Sequence, residues 1–301
     1  MKNVIVTGAN GFIGSSLIRR LIQEGVKVTA IDISFISSRL PQSDLITEIE
    51  APVDKHLEEL IPSADYDAFY HFAWQGVNGP DKTDPIIQLT NAQLAIICAG
   101  ICKKVGCRRF LCAGTVAEQT VKSLPHLTET SGGMMYGIGK YCTHLMLESY
   151  CKNIGLDFVW MQFSNIYGVG NRTGNLVSYT LSEIIAGRVA TFGPALQPYD
   201  FVYIDDLIEA VYRLGEAKIT QNSYFIGSGI PRVLRDYLLR IGELTSQQER
   251  IQIGVRPDDG IRYDMSMFDT TPLVQDIGEY VRHTFDEGIL KTYQWLRDAS
   301  R

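Results

Sequence analysis

Tyr136-Gly137-Ile138-Gly139-Lys140 sets a phenol and an ammonium four residues apart, neighbours on one face of a helix. A phenol at its ordinary pKa of about 10 is a poor base near neutrality, and a nearby ammonium stabilises the phenolate. Such a tyrosine can exchange a proton with a hydroxyl or carbonyl oxygen while hydride moves at the attached carbon. Thr115 closes the apolar run that begins at Arg109, and its hydroxyl can hydrogen-bond the same oxygen. A Tyr/Lys pair at this spacing also occurs on ordinary surface helices. Its position gives it a chemical reading here: it lies about 120 residues after a glycine-rich turn and opens a long helical stretch.

That turn is Thr7-Gly8-Ala9-Asn10-Gly11-Phe12-Ile13-Gly14, between an apolar run and a helix-like segment. Gly8 permits a sharp turn, Gly11 lets backbone N–H groups approach a pyrophosphate, and Gly14 allows helix and strand to pack closely. Asn10, Phe12 and Ile13 complete the loop and the helix start, where N–H groups and the positive dipole end suit phosphate. Asp32 ends the next strand, Val28-Thr29-Ala30-Ile31-Asp32. An acid there accepts hydrogen bonds from a ribose 2′-hydroxyl and repels a 2′-phosphate. The expected cofactor is therefore NAD, with Arg39 keeping NADP open.

The elements that would hold these groups alternate. Strands are expected at Val4–Thr7, Lys27–Ile31, Ala68–Phe72, Arg109–Ala113 and Phe158–Phe163, with helices at Phe12–Glu24, about Pro85 to Lys104, and Met134–Asn153. This rhythm predicts an α/β fold, a Rossmann-type doubly wound parallel sheet. It breaks after about residue 165, at a loop running from Gly168 to Asn175. A helix follows at Leu176–Ala186, then a Gly/Pro-rich segment at Gly193–Pro198. The expected organisation is a dinucleotide-binding domain over 1–165 and a smaller mixed α/β substrate-binding lobe over 166–301, with the chain free to recross between them.

With these motifs in place, the chain resembles the extended short-chain dehydrogenase/reductase family, in its branch of NAD-dependent nucleotide-sugar epimerases, dehydratases and 4-ketoreductases. The resemblance covers essentially the whole chain. It implies that Thr115, Tyr136 and Lys140 are catalytic, and that Lys140 also holds the nicotinamide ribose. His71-Phe72-Ala73 is similar to a family strand end beside the cofactor. Phe72, Ala73, Trp74, Asn91 and Phe163 are implied as further cofactor neighbours. Asn165-Ile166-Tyr167-Gly168 resembles the segment that begins the sugar-nucleotide lobe. Thr115, Asn165, Asn175, Leu176, Thr191, Phe192, Tyr199 and Arg256 are implied to contact substrate. Arg256, within Arg256-Pro257-Asp258-Asp259, would pair with the diphosphate, which an arginine fork suits.

The departures from the family pattern are informative. Family dehydratases carry Asp-Glu directly after the catalytic threonine, whereas here Val116-Ala117 follows and only Glu118 is near. Dehydration is therefore not expected. Gln162 stands where an arginine is usual, and Tyr199-Asp200-Phe201 lacks the preceding arginine of the family, leaving Arg256 and Arg172 for phosphate. The expected reaction is hydride transfer at the sugar C4 with Tyr136 as acid/base. It would be an epimerisation with recycled NAD or, alternatively, reduction of a 4-keto-6-deoxy nucleotide sugar with exchangeable NADH or NADPH. A non-catalytic dinucleotide sensor is a third reading, disfavoured because both Tyr136 and Lys140 are present.

Composition narrows the remaining classes. Among 301 residues, net charge is -6, with acids and bases interspersed, so no basic face for nucleic acid is expected. The six cysteines form no Cys-x-x-Cys pair, and most sit among apolar residues, so buried reduced thiols are expected rather than a metal site. No run of about 18 apolar residues is read, so no membrane span is expected. Met1-Lys2-Asn3 enters a strand pattern at once, which carries the expectation of no secretion signal and a cytoplasmic location. The resemblance also implies a homodimer through the helices near Pro85–Lys104 and Met134–Asn153, with Ile96, Ile97, Ile101 and Leu145 in the contact.

Overall fold

Short β-branched runs buried on both faces become the strands, and the amphipathic stretches between them become the covering helices. The computed structural model describes residues 1–122, 132–258 and 264–299. In chain order the first elements are β1 (Asn3–Thr7), α1 (Phe12–Gln23), β2 (Lys27–Asp32), β3 (Ile46–Glu50) and α2 (Leu57–Leu60). They are followed by β4 (Ala68–His71), α3 (Pro85–Lys104), β5 (Arg109–Thr115), α4 (Ala117–Lys122), α5 (Met135–Ile154) and β6 (Asp157–Phe163). A seven-stranded sheet runs β11-β6-β5-β4-β1-β2-β3, where β11 is Ser223–Ile226. Every pair from β6 to β3 is parallel. The fold is a Rossmann-type α/β sheet with helices against it, as the alternating sequence requires.

The chain divides into two compact units. The first contains Met1–Phe163, Ile208–Phe225 and Pro272–Gly278, and the second contains Ser164–Leu207, Ile226–Thr271 and Glu279–Arg301. The chain first changes unit between Phe163 and Ser164, and two later segments, Ile208–Phe225 and Pro272–Gly278, belong to the first unit. The reason is visible at Arg109, a buried cation on β5. It pairs with Asp157 at 2.7 Å and donates to the carbonyls of Leu214 and Ala217 at 2.6 and 2.9 Å. Satisfying a buried guanidinium requires the end of helix α7 (Ile204–Glu216) at the sheet.

Inside the first unit, Ile5, Phe69, Phe110, Ala95, Ala99, Leu147 and Trp160 form one core between the sheet and helices α3 and α5. Helix α3 begins at Asp84, whose carboxylate accepts from the N–H groups of Ile86 and Ile87, and Pro85 fills the first turn. By length and composition α3 is apolar enough to cross a membrane, contrary to the sequence expectation. Its Ala92, Ala95, Cys98, Ala99 and Cys102 are buried within this unit, as in a soluble core helix. Ile101 also faces that core, and Ile96 and Ile97 pack partly against it. Only Leu145 of the four residues assigned to a dimer contact is exposed, at 48%. Cys142 is the exposed cysteine and the other five are buried thiols.

The second unit holds shorter elements: β7 (Asn165–Tyr167), α6 (Leu176–Ile185), β8 (Ala190–Phe192), β9 (Pro198–Tyr199), β10 (Phe201–Tyr203), β12 (Arg232–Val233), α8 (Leu234–Thr245) and β13 (Ile251–Ile253). Three two-stranded ladders, β10-β7, β12-β9 and β13-β8, stand in for a continuous sheet.

Candidate active site

The glycine turn is built by backbone contact. Gly8 sits at φ +69°, and a Cβ there would meet the backbone of Phe72 and Ala73 at 2.7–2.8 Å. A Cβ on Gly14 would overlap the carbonyl of Gly8. Gly11 caps α1 without a side-chain acceptor, so the first-turn N–H groups at Phe12 and Ile13 are left for an anion. Asp32 fixes the loop opposite: its carboxylate accepts from the N–H groups of Asn10 and Ile33, both at 2.8 Å. Asn10 ties the turn to the next loop, donating to Ser34 O at 3.0 Å and accepting from Arg39 N at 2.8 Å. Its amide thus braces the cradle. Asp32 remains partly exposed, with lone pairs left for ribose hydroxyls. This cradle fits a dinucleotide: the glycines allow a tight strand–helix turn, the first N–H groups of α1 have no side-chain cap, and an acid ends β2.

The candidate catalytic residues converge at the ends of β4 and β5 and the start of α5. The Thr115 hydroxyl faces the Tyr136 phenol and favours its ionised form. Lys140 lies one helical turn after Tyr136, is 3% exposed, and donates to Ala113 O at 2.7 Å. Its Nζ stands 3.5 Å over the Trp74 ring and 5.9 Å from the Tyr136 ring centre. The lysine does not lower the phenol here. Burial pushes Tyr136 well above its ordinary range, opposed by the Thr115 hydroxyl and reinforced by the Glu118 charge. Burial also pulls Lys140 down to about 8. The sequence expectation treated the pair as if in water. In the folded chain desolvation outweighs the attraction. One Lys140 N–H is spent on Ala113, leaving two for a ribose.

The other residues implied as cofactor neighbours divide. Phe72 lies 6.5 Å from Phe163 and 6.2 Å from Tyr70, an apolar wall beside the turn. Trp74 meets Tyr136 edge-on at 6.3 Å. Asn91 is turned to the loop instead: its amide pairs both ways with the backbone of Gln75, at 2.9 and 2.7 Å. His71 is buried and held neutral, its pKa pulled to about 3 by burial, with Nδ1 on Thr7 Oγ1 at 2.8 Å.

Two groups escaped the sequence reading. Glu118 was noted only as near, yet it is fully buried. It accepts from Thr115 N at 2.7 Å and from the Trp160 indole at 3.1–3.2 Å, and it faces His144 Nδ1 at 3.5 Å. Its carboxylate is thus committed to the backbone under Thr115 and is not presented as a free base. Gln88 is the second. It accepts from the Trp74 indole at 2.9 Å and donates to the carbonyls of Gly76 and Asp81 at 3.1 and 3.3 Å. As one of three amides in an apolar helix, with Asn91 and Gln93, it carries no distinguishing sequence signal.

In the second unit, a pocket of about 440 Å³ is lined by Leu176, Tyr179, Thr191, Phe192, Gln197 and Arg256 among others. Arg256 Nε donates to Thr191 Oγ1 and its Nη2 to the Tyr179 hydroxyl, both at 2.7 Å. Tyr179, one turn into α6 from Leu176, is a further residue the sequence reading missed. Asp259 lies outside the described residues. Asn165, Asn175 and Tyr199 do not line this pocket. Asn175 caps α6 through Ser178 N at 2.8 Å and donates to Ile166 O at 2.7 Å. Asn165 donates to Asp200 O at 3.1 Å, and Tyr199 packs 5.2 Å from Phe201.

Comparison with known proteins identifies the family and the fold. The chain is 25% identical to a UDP-glucose 4-epimerase of Mycolicibacterium smegmatis, over 99% of both proteins. Its fold is similar to that of an NAD-dependent NDP-hexosamine 5,6-dehydratase of tunicamycin biosynthesis, with a TM-score of 0.82, 24% identity, and coverage of 99% of this chain and 98% of that one. It is likewise similar to MoeE5, solved with UDP-glucuronic acid and NAD, with a TM-score of 0.81, 20% identity and 99% of each chain covered. The family profile matches residues 4–227. The chain is an enzyme of the NAD dependent epimerase/dehydratase family.

Proposed function

We propose that this enzyme transfers hydride at C4 of a nucleotide-diphosphate sugar and returns it, acting as a 4-epimerase with NAD retained through the cycle. The observation that carries this reading is the convergence of Thr115, Tyr136 and Lys140 at the strand ends next to the glycine cradle, with Lys140 Nζ held on Ala113 O and 5.9 Å from the Tyr136 ring centre. NAD, when bound, supplies the hydride acceptor and donor. Tyr136 would act as the phenolate, a form that the positive charge of bound NAD and of Lys140 would favour over the buried phenol of the empty site; it takes the proton from the C4 hydroxyl and gives it back, and Thr115 holds the C4 oxygen through its hydroxyl. Trp74 and Phe163 keep water from the reacting carbon. Arg256, with N–H groups beyond those on Thr191 and Tyr179, serves the diphosphate. The commitment of Glu118 to Thr115 N and Trp160 removes the nearest carboxylate from elimination chemistry, which favours epimerisation over dehydration.

The test is incubation with UDP-glucose deuterated at C4. Formation of UDP-galactose with the label retained, and no net NADH, supports the epimerase. Turnover only of a 4-keto sugar with added NADH or NADPH would assign the ketoreductase instead. Exposed Ile86 and Leu89 on α3 and Leu145 and Met146 on α5 are further proposed as a homodimer contact. Light scattering tests this, and a monomer overturns it.

A further inference from the structure

The loop 74–84 after β4 is fastened more firmly than a connector requires. Gln88, 1% exposed, takes the Trp74 indole and holds the carbonyls of Gly76 and Asp81. Asn91 pairs both ways with the Gln75 backbone, and the Gln75 side chain donates to the Asp81 carboxylate at 3.2 Å. Gly76 and Gly79 sit at φ +71° and +69°, so the path depends on backbone freedom at two points. Gly139 of α5 lies against Gln88 so closely that a Cβ there would meet the glutamine Cβ at 2.9 Å.

This scaffold delivers one side chain to the catalytic group. The Nζ of Lys82 lies 5.6 Å from the Tyr136 ring centre, a second ammonium beside the phenol in addition to Lys140. Lys82 is partly buried, and that burial lowers its pKa. Among the described residues its ammonium has no ion pair and no hydrogen bond, while its backbone N–H donates to Gly79 O at 3.2 Å. The two acids beside it are otherwise engaged: Asp81 accepts from Gln75, and Asp84 caps α3. A lysine loses favourable hydration on burial and ordinarily takes a counter-ion in return. A fastened loop that holds one without a counter-ion among the described residues, beside the ring of Tyr136, is arranged for an anion brought by the ligand.

We propose that Lys82 is a specificity residue for a nucleotide sugar whose sugar ring itself bears a carboxylate, a uronate-type substrate. The inference rests on the nucleotide-sugar reading above and deepens it. A carboxylate on the sugar is favoured over the diphosphate because Lys82 stands at the tyrosine that acts on the ring, whereas a guanidinium fork for phosphate is present at Arg256. The known relatives do not choose, since both UDP-glucose and UDP-glucuronic acid occur among their names.

The test is calorimetric titration of the NAD-supplemented full chain with UDP-glucuronic acid and with UDP-glucose, for wild type, Lys82→Met and Lys82→Arg. The expected result is wild-type binding of UDP-glucuronic acid about tenfold tighter than of UDP-glucose, the scale of one charge-assisted hydrogen bond. Lys82→Met should erase that preference by weakening UDP-glucuronic acid alone, and Lys82→Arg should keep most of it. Equal wild-type affinities overturn the proposal. So does a Lys82→Met loss of the same factor for both ligands, which would place the lysine on the diphosphate. Binding of neither compound would remove the nucleotide-sugar reading, and this inference with it.

Discussion

The two ends of the dinucleotide site are made in different ways. At the β1–α1 turn the shape is backbone: Gly8 against Phe72 and Ala73, Gly14 against Gly8, and Asn10 N on Asp32. At the β5–α5 end it is side chain against side chain, with Trp74, the Thr115/Glu118 pair and the Tyr136/Lys140 pair drawn from three places in the chain. A backbone site is fixed by residue types at set spacing. A side-chain site is tuned by whatever else is packed there, and its acid–base behaviour belongs to that packing.

Breaking the backbone end should have the largest effect. Gly14→Ala must displace the Gly8 carbonyl, so NAD affinity by titration should fall by at least about a hundredfold, because the turn and the helix start cannot both keep their places. An unchanged affinity would mean that the turn tolerates a Cβ and that its glycine is incidental.

The side-chain end should respond in stability as well as rate. Glu118→Ala leaves Thr115 N and the Trp160 indole without their acceptor inside the core, and should cost about 3 kcal/mol in chemical denaturation. Glu118→Gln, which keeps one carbonyl acceptor, should cost less. Equal losses would show that charge, not hydrogen bonding, is what Glu118 contributes.

A smaller effect is expected from pH. Burial holds Lys140 at about 8, below the ordinary lysine range, so above pH 8 the folded chain carries fewer protons there than the unfolded chain. Stability contributed by this group therefore rises with pH from about 8 up to the unfolded lysine pKa, by about 2 kcal/mol once partial hydration is allowed for. Denaturation curves of wild type and Lys140→Met across that range should converge as pH rises. Parallel curves would show that Lys140 has an ordinary pKa.

The same contrast explains what could be read from residues alone. The glycine spacing, Asp32, and the Tyr136/Lys140 pair were legible because each depends on local order along the chain. Helix α3 was read from about Pro85 to Lys104, and the structure adds the Asp84 cap at its start. The edge strand β3 was not foreseen: Ile46–Glu50 is mostly exposed or half-exposed, and its alternation carries little apolar signal. The return of Ile208–Phe225 to the first unit was hidden because an amphipathic helix reads alike whichever core it faces. Asn91 and Asn175 were assigned to ligands by resemblance, yet their amides are spent on Gln75 and on the α6 cap. Tyr179, Gln88 and Lys82 act through contacts that no spacing announces.

The most direct test of the account is Tyr136→Phe, which removes only the phenol hydroxyl. Turnover of the C4-labelled substrate should fall by roughly a thousandfold, the scale of a lost general acid–base group, while NAD affinity stays within about threefold by the same ring-packing argument. Turnover retained at the wild-type rate would contradict the assignment of Tyr136 as the proton-transfer residue and, with it, the chemistry proposed for this enzyme.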